Sequence, residues 1–148
     1  MPAVTAIKIV QAFQASAERV FDALADQEHA GSWMGAKISI AVRGEAGLVG
    51  TVRRVHIGPA HFDERILEVD PPRHLGYAIV DAPSTLVRHR GDVYVEPKGE
   101  QNAEVTWCVD LELKPAFLTV IVRALLSFVL TRALKRLDRQ LAPTVGRT

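Results

Sequence analysis

Hydrophobic and polar positions alternate over most of this chain, and the pattern changes only in its last third. Between residues 104 and 114, apolar residues alternate strictly with polar ones up to Pro115. A period of two indicates a strand with one buried and one solvent-facing side. Residues 116–141 are mainly apolar and have the length of a long helix. The sequence therefore predicts a terminal helix that needs the concave face of the preceding sheet as its partner surface.

Shorter patterns predict the other elements. A first strand is expected over residues 4–14, and Ser16 is the predicted N-cap of a helix with Val20, Phe21 and Leu24 on one face. A second short helix is expected over residues 27–33, with Trp33 packing as a lid. Further strands are predicted over residues 37–42, 49–57, 62–69, 75–80, 86–95 and 104–114, with glycines 44, 47 and 50 in a turn. The order is strand, two short helices, six strands and a long helix, in one domain that spans residues 1–148.

Composition and charge argue against several classes of protein: nucleic-acid binders, disulfide-bonded proteins and membrane-spanning proteins. The chain has 148 residues, 48% of them hydrophobic, and a formal net charge of +1, which argues against a nucleic-acid partner. Cys108 is the single cysteine, so an internal disulfide is excluded, and we expect a buried, inert thiol. No basic stretch followed by an apolar run begins the chain, which predicts a cytoplasmic location. Residues 116–131 are too short for a span and contain Arg123, so no stable membrane insertion is predicted.

Four segments resemble a known superfamily: ASAERVFDALAD followed by Trp33, GLVGTVRRV, ERILEVDPPRHLGY and EVTWCVDLELKP. They are similar to the SRPBCC superfamily, which includes START and Bet v 1 proteins, and most similar to its polyketide cyclase/dehydrase-type branch. The resemblance implies an α+β helix-grip fold, in which a seven-stranded antiparallel sheet curls around the C-terminal helix and encloses a cavity. Lipid carriers, hormone receptors, cyclases and chaperone co-factors share this fold, so the resemblance implies no single reaction.

The strand periods predict which side chains line such a cavity once Trp107 and Val109 are placed inward. From the sheet these are Arg53, Val55, Glu64, Ile66, Tyr77, Ile79, His89, Val93, Trp107 and Val109. From the helix, the residues expected to face the sheet are Phe117, Val120, Ile121, Ala124 and Phe128. A mostly apolar wall with a few polar groups is typical of a site for a hydrophobic guest.

Three of the polar wall residues have two interpretations each. Arg53 and Glu64 are predicted to lie opposite each other, where they either hold the hairpin together or bind and position a polar group of a ligand. His89 is a candidate acid or base, although a lone histidine among aliphatic residues is more often a hydrogen-bonded wall residue. The remaining histidines match no metal-ligand spacing, so neither a metal nor another cofactor is predicted.

These observations favour intracellular binding or transport of a hydrophobic or amphipathic small molecule, such as a lipid, isoprenoid or aromatic polyketide. One alternative is a polyketide cyclase/dehydrase-type enzyme in which Arg53, Glu64, Tyr77 or His89 polarises a carbonyl. Another is a protein-interaction module that uses the C-terminal helix, because apolar residues cover most of its circumference. The sheet and the short helices are expected to cover that helix. The alternative is that part of it forms a dimer seam or touches a membrane, and a homodimer is the next possibility.

Overall fold

The computed structural model describes residues 7–44 and 48–143, apart from the side chain of Ile57. Seven antiparallel strands form one sheet in the order β1-β7-β6-β5-β4-β3-β2. The elements in chain order are β1 (Ile7–Phe13), α1 (Ala17–Ala25), α2 (Gly31–Met34), β2 (Lys37–Val42), β3 (Val52–Ile57), β4 (Ala60–Asp70), β5 (His74–Val80), β6 (Leu86–Gly99), β7 (Asn102–Leu113) and α3 (Ala116–Leu141). The predicted helix-grip architecture is confirmed, while residues 4–6 of the expected first strand and Gly47 lie outside the described ranges.

The two faces of β7 differ as its alternation predicts. Val105, Trp107, Val109 and Leu111 are at most 3% exposed and face the core. On the opposite face of the sheet, Arg88 of β6 pairs with Asp110 and Glu112 of β7 at 2.9 and 2.6 Å. Apolar side chains therefore cover the concave face of the sheet and ion pairs cover its convex face.

The short helices close one end of the concave face. The Ser16 hydroxyl accepts a hydrogen bond from the Arg19 backbone N–H at 3.3 Å and caps α1, whose apolar side is buried. In α2, Trp33 is 3% exposed and meets Trp107 edge to face, with ring centroids 6.3 Å apart. Trp33, which was predicted to act as a lid, is thus a core residue of the structure.

Helix α3 is attached to the rest of the fold at its two ends. The Thr119 hydroxyl donates to the Leu113 carbonyl at 3.0 Å and accepts from the Leu113 N–H at 2.9 Å, which ties the first turn to the end of β7. Farther along, the helix inserts into the core with four side chains that are at most 3% exposed. These are Leu130, Ala133, Leu134 and Leu137. The main packing partners of α3 are β1, α2 and β7.

The predicted rotation of α3 about its axis is wrong. Phe117, Val120, Ile121 and Phe128 are 57–66% exposed, and Ala124 is also exposed, so these residues face away from the sheet. Apolar residues cover most directions of the first half of this helix, and its one polar line, Thr119, Arg123 and Ser127, lies on the inward side. The second half selects the face, because its basic residues must stay in water while its leucines fill the core.

The expected cover of the helix by the rest of the fold is also incomplete. Leu125 is 61% and Val129 39% exposed. By length and composition, α3 is the one helix in the described ranges that is apolar enough to cross a membrane, and 22% of its most apolar stretch is buried. Much of its apolar surface is consequently in contact with solvent.

Candidate functional site

A buried ion pair lies on the concave face where β3 and β4 meet. Arg53 and Glu64 are direct partners in the strand register, and Arg53 Nε donates to Glu64 Oε1 at 2.7 Å. Their exposed fractions are 2% and 6%. The two residues were expected to face open space in a cavity, but the protein encloses them. The predicted pairing is present, and Arg53 is satisfied by its own neighbours.

Gln27 completes this buried cluster and was not predicted as a site residue. Its Oε1 accepts from Arg53 Nη1 at 2.6 Å, and its Nε2 donates to the carbonyls of Leu24 and Ala25 at 3.2 and 3.1 Å. The side chain therefore caps the C-terminus of α1 and holds the guanidinium at the same time. Gln27 was expected to begin a short helix over residues 27–33, but α2 begins at Gly31 and Gln27 lies in the turn before it. No signal in the sequence assigns a turn residue to this cluster.

A surface cleft of about 260 Å³ lies next to Gln27. Its lining residues are Ala25, Asp26, Gln27, Glu28, Ile40, Arg43, Gly44, Leu48 and Thr51. Gln27 thus contacts this cleft while its amide oxygen holds Arg53 in the interior. The buried ion pair is separated from the cleft by one side chain.

The aromatic wall beside the ion pair is tightly packed. Trp107 Nε1 donates to Tyr77 Oη at 2.9 Å, and the Arg53 guanidinium lies 4.9 Å from the centroid of the Tyr77 ring. The ring lies against Gly91, where an added Cβ would be 2.1 Å from Tyr77 Cζ. Burial, and then the charge of Glu64, raises the pKa of Tyr77, so its phenol stays neutral. Tyr77 is therefore a rigid hydrogen-bonding wall residue.

His89 is half-buried at the margin of this wall, and its Nδ1 accepts the Ile79 backbone N–H at 3.1 Å. A backbone N–H can only donate, so the neutral ring carries its proton on Nε2. Burial lowers the pKa of His89, which favours this neutral form. His89 accordingly offers a hydrogen-bond donor, and the lone pair that a general base would use is already occupied.

The lowered pKa of His89 predicts a pH effect on stability. Below the ordinary histidine pKa of about 6.5, His89 is protonated in the unfolded chain but stays neutral to a lower pH in the folded chain. The free energy of unfolding should therefore fall as the pH drops through and below that value. Urea denaturation at pH 7.5 and pH 5 measures the change, and His89→Asn should show a smaller one. Equal pH sensitivity of the two proteins would contradict this assignment.

Neighbouring carboxylates on β4 point to opposite faces, as their alternation predicts. Asp63 lies on the side opposite Glu64 and accepts from Arg54 Nε at 2.9 Å. This hydrogen bond from Arg54 is the main cause of the lowered pKa of the Asp63 carboxyl. Asp63 and Glu64 therefore do not form an acid and base pair.

The remaining candidate groups give no second centre within residues 7–44 and 48–143. No set of three or more His, Cys, Asp or Glu side chains in these ranges is arranged to hold a metal ion. Cys108 is half-buried on the convex face of β7, and burial raises its pKa. The expected burial of this thiol is therefore wrong, because Cys108 lies on the solvent side of the strand. A protonated thiol is a poor nucleophile, so an inert role stays the prediction.

Arg123 lies on the inward side of α3, a placement that the sequence analysis missed. It stands four residues after the buried Thr119 and seven before the buried Leu130, which puts all three on one helix face. Its Nε is buried, and it is the one such side-chain nitrogen or oxygen in the described residues without a hydrogen-bond partner. Counting back from the leucines of the second half of α3 would have revealed this orientation.

The first half of α3 is loosely packed around Arg123. Between residues 116 and 129, Thr119 is the one buried residue. Val122 and Leu126 are partly buried against the core, as are Leu86 and Leu113 at the ends of β6 and β7. The unpartnered guanidinium nitrogen therefore belongs to a stretch of helix whose apolar side chains are only half covered or exposed.

The predicted ligand-binding residues thus fall into three groups. Buried residues of the concave wall are Arg53, Val55, Glu64, Ile66, Tyr77 and Trp107. Half-buried residues at its margin are Ile79 and His89. Exposed residues on the outside of α3 are Phe117, Ile121, Ala124 and Phe128. The first two groups share one face of the sheet, and the third lies away from it.

Comparison with known proteins identifies a family and a fold. A family model described as polyketide cyclase / dehydrase and lipid transport matches residues 5–142. No curated protein sequence shows significant similarity to the chain.

Solved structures share the fold at low sequence identity. A START superfamily protein from Mycobacterium smegmatis has a TM-score of 0.77 at 17% identity, covering 91% of this chain and 95% of that one. Norcoclaurine synthase from Thalictrum flavum, in complex with dopamine and hydroxybenzaldehyde, has a TM-score of 0.72 at 17% identity, covering 90% and 84%. The Aha1 dimer from Colwellia psychrerythraea has a TM-score of 0.71 at 18% identity, covering 95% and 98%. At these identities the likeness establishes the fold alone.

Proposed function

The chain belongs to the polyketide cyclase / dehydrase and lipid transport family, and we propose on this basis that it binds an amphipathic small molecule beneath the first half of α3. The guest has an apolar body and an end that accepts hydrogen bonds, as in a carboxylated lipid, an isoprenoid acid or an aromatic polyketide. The proposed role is binding or transport of this molecule.

The unpartnered Nε of Arg123 is the observation that carries the proposal. A buried donor without an acceptor costs about 1–3 kcal/mol, and native proteins rarely leave one without a reason. A carboxylate, carbonyl or phosphate oxygen from a guest would supply a charge-assisted hydrogen bond to this nitrogen. Arg53 is a weaker candidate for the same contact, because Glu64 and Gln27 already accept from its Nε and Nη1.

The surroundings of Arg123 suit the apolar part of such a guest. Val122 and Leu126 project from α3, and Leu113 ends the strand that leads into it. His89 pairs with Leu111 in the strand register, so its ring lies near this end of the sheet and offers a second donor. The helix is attached through Thr119 and through its second half, so the loosely packed segment between these attachments would yield to a guest.

Proton abstraction is not part of the proposed function. The Nδ1 lone pair of His89 accepts the Ile79 N–H, and the carboxylate of Glu64 accepts from Arg53. A cyclase/dehydrase-type reaction would have to proceed through donors that polarise a carbonyl, and no further observation favours it.

Arg123→Met should weaken binding of a carboxylated probe by about ten- to hundredfold, since a hydrogen bond to a charged group contributes roughly 1.5–3 kcal/mol. Dansyl-labelled undecanoic acid is a suitable probe, and its fluorescence titration gives the dissociation constant. Arg65→Met is the matched control, because Arg65 is exposed on β4 and lies outside α3. Its affinity should stay within about twofold of the unchanged protein.

The methyl ester of the same probe separates the charged contact from apolar burial. The unchanged protein should bind the ester more weakly than the acid, because the ester has no carboxylate for Arg123. The Arg123→Met variant should bind the ester and the acid with almost equal affinity. Unchanged affinity of Arg123→Met for the acid, or an equal loss in Arg65→Met, would rule out Arg123 as the anchoring group.

A further inference from the structure

One face of α3 carries exposed apolar side chains in its first half and exposed basic side chains in its second. This line of residues, here termed the outer stripe, consists of Phe117, Ile121, Ala124, Phe128, Arg132, Lys135 and Arg139. Successive members are three or four residues apart, which aligns them along one side of a helix. The stripe therefore changes from apolar to cationic along a single continuous surface.

The apolar half of the outer stripe is part of a wider hydrophobic patch. Phe117, Val120, Ile121, Leu125 and Phe128 are 57–66% exposed. Scattered exposed apolar residues are normal, whereas a contiguous group of large ones marks an interaction surface.

The basic half borders a groove of about 560 Å³. The groove is lined by Ala124, Ser127, Phe128, Thr131, Arg132, Lys135, Arg136 and Arg139, a set with four cations and no acidic residue. Arg136 serves the fold by donating to the Trp33 carbonyl at 2.8 Å. Within the described residues, Arg132, Lys135 and Arg139 form no ion pair. Three cations next to the apolar patch thus lack an anionic partner there.

We propose that the outer stripe docks the protein on an anionic lipid surface. The apolar half enters the boundary between acyl chains and headgroups, and the basic half lies over the headgroup phosphates. Apolar burial and attraction of basic side chains to anionic lipids together drive this kind of interfacial binding. The membrane interface would provide an apolar environment for the hydrophobic patch and anionic phosphates for the three cations.

A second copy of the chain fits this surface less well. In a two-fold dimer, stripes aligned in parallel would bring cations against cations, and antiparallel stripes with full overlap would bring cations against the partner's apolar half. Neither arrangement supplies the anionic partner that Arg132, Lys135 and Arg139 lack. Charge complementarity therefore favours the lipid surface.

The contact is peripheral, because the fold holds the second half of α3. Leu130, Ala133, Leu134 and Leu137 are core residues. The segment left free, residues 116–129, would reach about 20 Å at 1.5 Å per residue, whereas the hydrocarbon core is about 30 Å thick. Docking without spanning agrees with the prediction of no stable membrane insertion.

Co-sedimentation of the full chain with vesicles tests the proposal. The protein should bind vesicles of phosphatidylcholine with about one-third phosphatidylglycerol, and bind pure phosphatidylcholine at least tenfold more weakly. The variant R132Q/K135Q/R139Q should lose about a hundredfold in partitioning, since each basic side chain near such a surface contributes roughly fivefold. The variant K8Q/R19Q/R65Q removes the same charge from exposed positions outside α3 and should stay within about twofold of the unchanged protein.

Ile121→Asp tests the apolar half at an exposed position, where circular dichroism should show an unchanged fold, and it should abolish vesicle binding. Equal binding to both kinds of vesicle, binding to neither, or equal losses in the two charge variants would overturn the proposal. A dimer in size-exclusion chromatography with light scattering that Ile121→Asp dissociates, together with no vesicle binding, would assign the surface to a second copy instead.

Discussion

Arg53→Met alone is expected to lower the free energy of unfolding by about 3–5 kcal/mol, because it leaves the Glu64 carboxylate buried without its cation. Gln27 loses its hydrogen-bond donor in the same change. Urea denaturation at pH 7, followed by the fluorescence of the buried tryptophans, measures the effect. A loss below about 1 kcal/mol would mean that water reaches Glu64 and that the pair is not enclosed.

The double variant Arg53→Met/Glu64→Leu is the control that separates structure from function. Replacing both partners by apolar residues of similar volume is often neutral or stabilising, so most of the lost stability should return. If the pair only holds the hairpin, the folded double variant should bind the carboxylated probe like the unchanged protein. If Arg53 contacts the guest, affinity should fall although the fold is restored. The two interpretations left open by the sequence are thereby distinguished.

Gly91→Ala is expected to destabilise the protein by about 2–6 kcal/mol. Its new Cβ would lie 2.1 Å from Tyr77 Cζ and force the ring to move. Overpacking of this kind costs about 1–3 kcal/mol. A displaced ring would also leave the Trp107 N–H without its acceptor, and an unpaired buried donor adds about 1–3 kcal/mol.

Gly76→Ala is the matched control for this substitution, because Gly76 also lies within the sheet, on the strand that carries Tyr77. Its new Cβ would meet the end of the Arg90 side chain at 2.5 Å, and that end can move. A loss of less than about 1 kcal/mol is expected there. Urea denaturation gives both values, and near-ultraviolet circular dichroism should change in Gly91→Ala only. Equal losses in the two variants would show that backbone propensity, and not the Tyr77 ring, sets the cost.

Much of the sheet could be predicted because its strands are buried on one side. Strict alternation places Trp107 inward, and antiparallel pairing then carries this orientation to Tyr77, Ile66 and Arg53 without further information. The Arg53–Glu64 pairing followed from the same step. Alternation and pairing could not predict how the space around this ion pair is filled, because Gln27 reaches the pair from a loop and Tyr77 packs closely on Gly91.

The face of α3 was predicted wrongly for a physical reason. In its first half, apolar residues cover most directions, and the one polar line, Thr119, Arg123 and Ser127, would ordinarily face water. The structure turns this line toward the core instead. Farther along the same helix, the cations at 132, 135 and 139 must face water, and this fixes the rotation of the helix about its axis. Because the helix is continuous, the same rotation places Arg123 inward. Reading the basic half first would have placed Arg123 inward.

The order of the elements, the inward side of the strands and the pairing of Arg53 with Glu64 could be predicted from the sequence, since they follow from local periodicity and from pairing between neighbouring strands. Three features became visible in the folded protein alone: Gln27 completes the buried pair, Arg123 lies inward without a partner for its Nε, and the outer stripe remains exposed. These features depend on how elements distant in sequence fill a common space. Packing of that kind depends on volumes and directions in three dimensions, which a one-dimensional pattern does not contain.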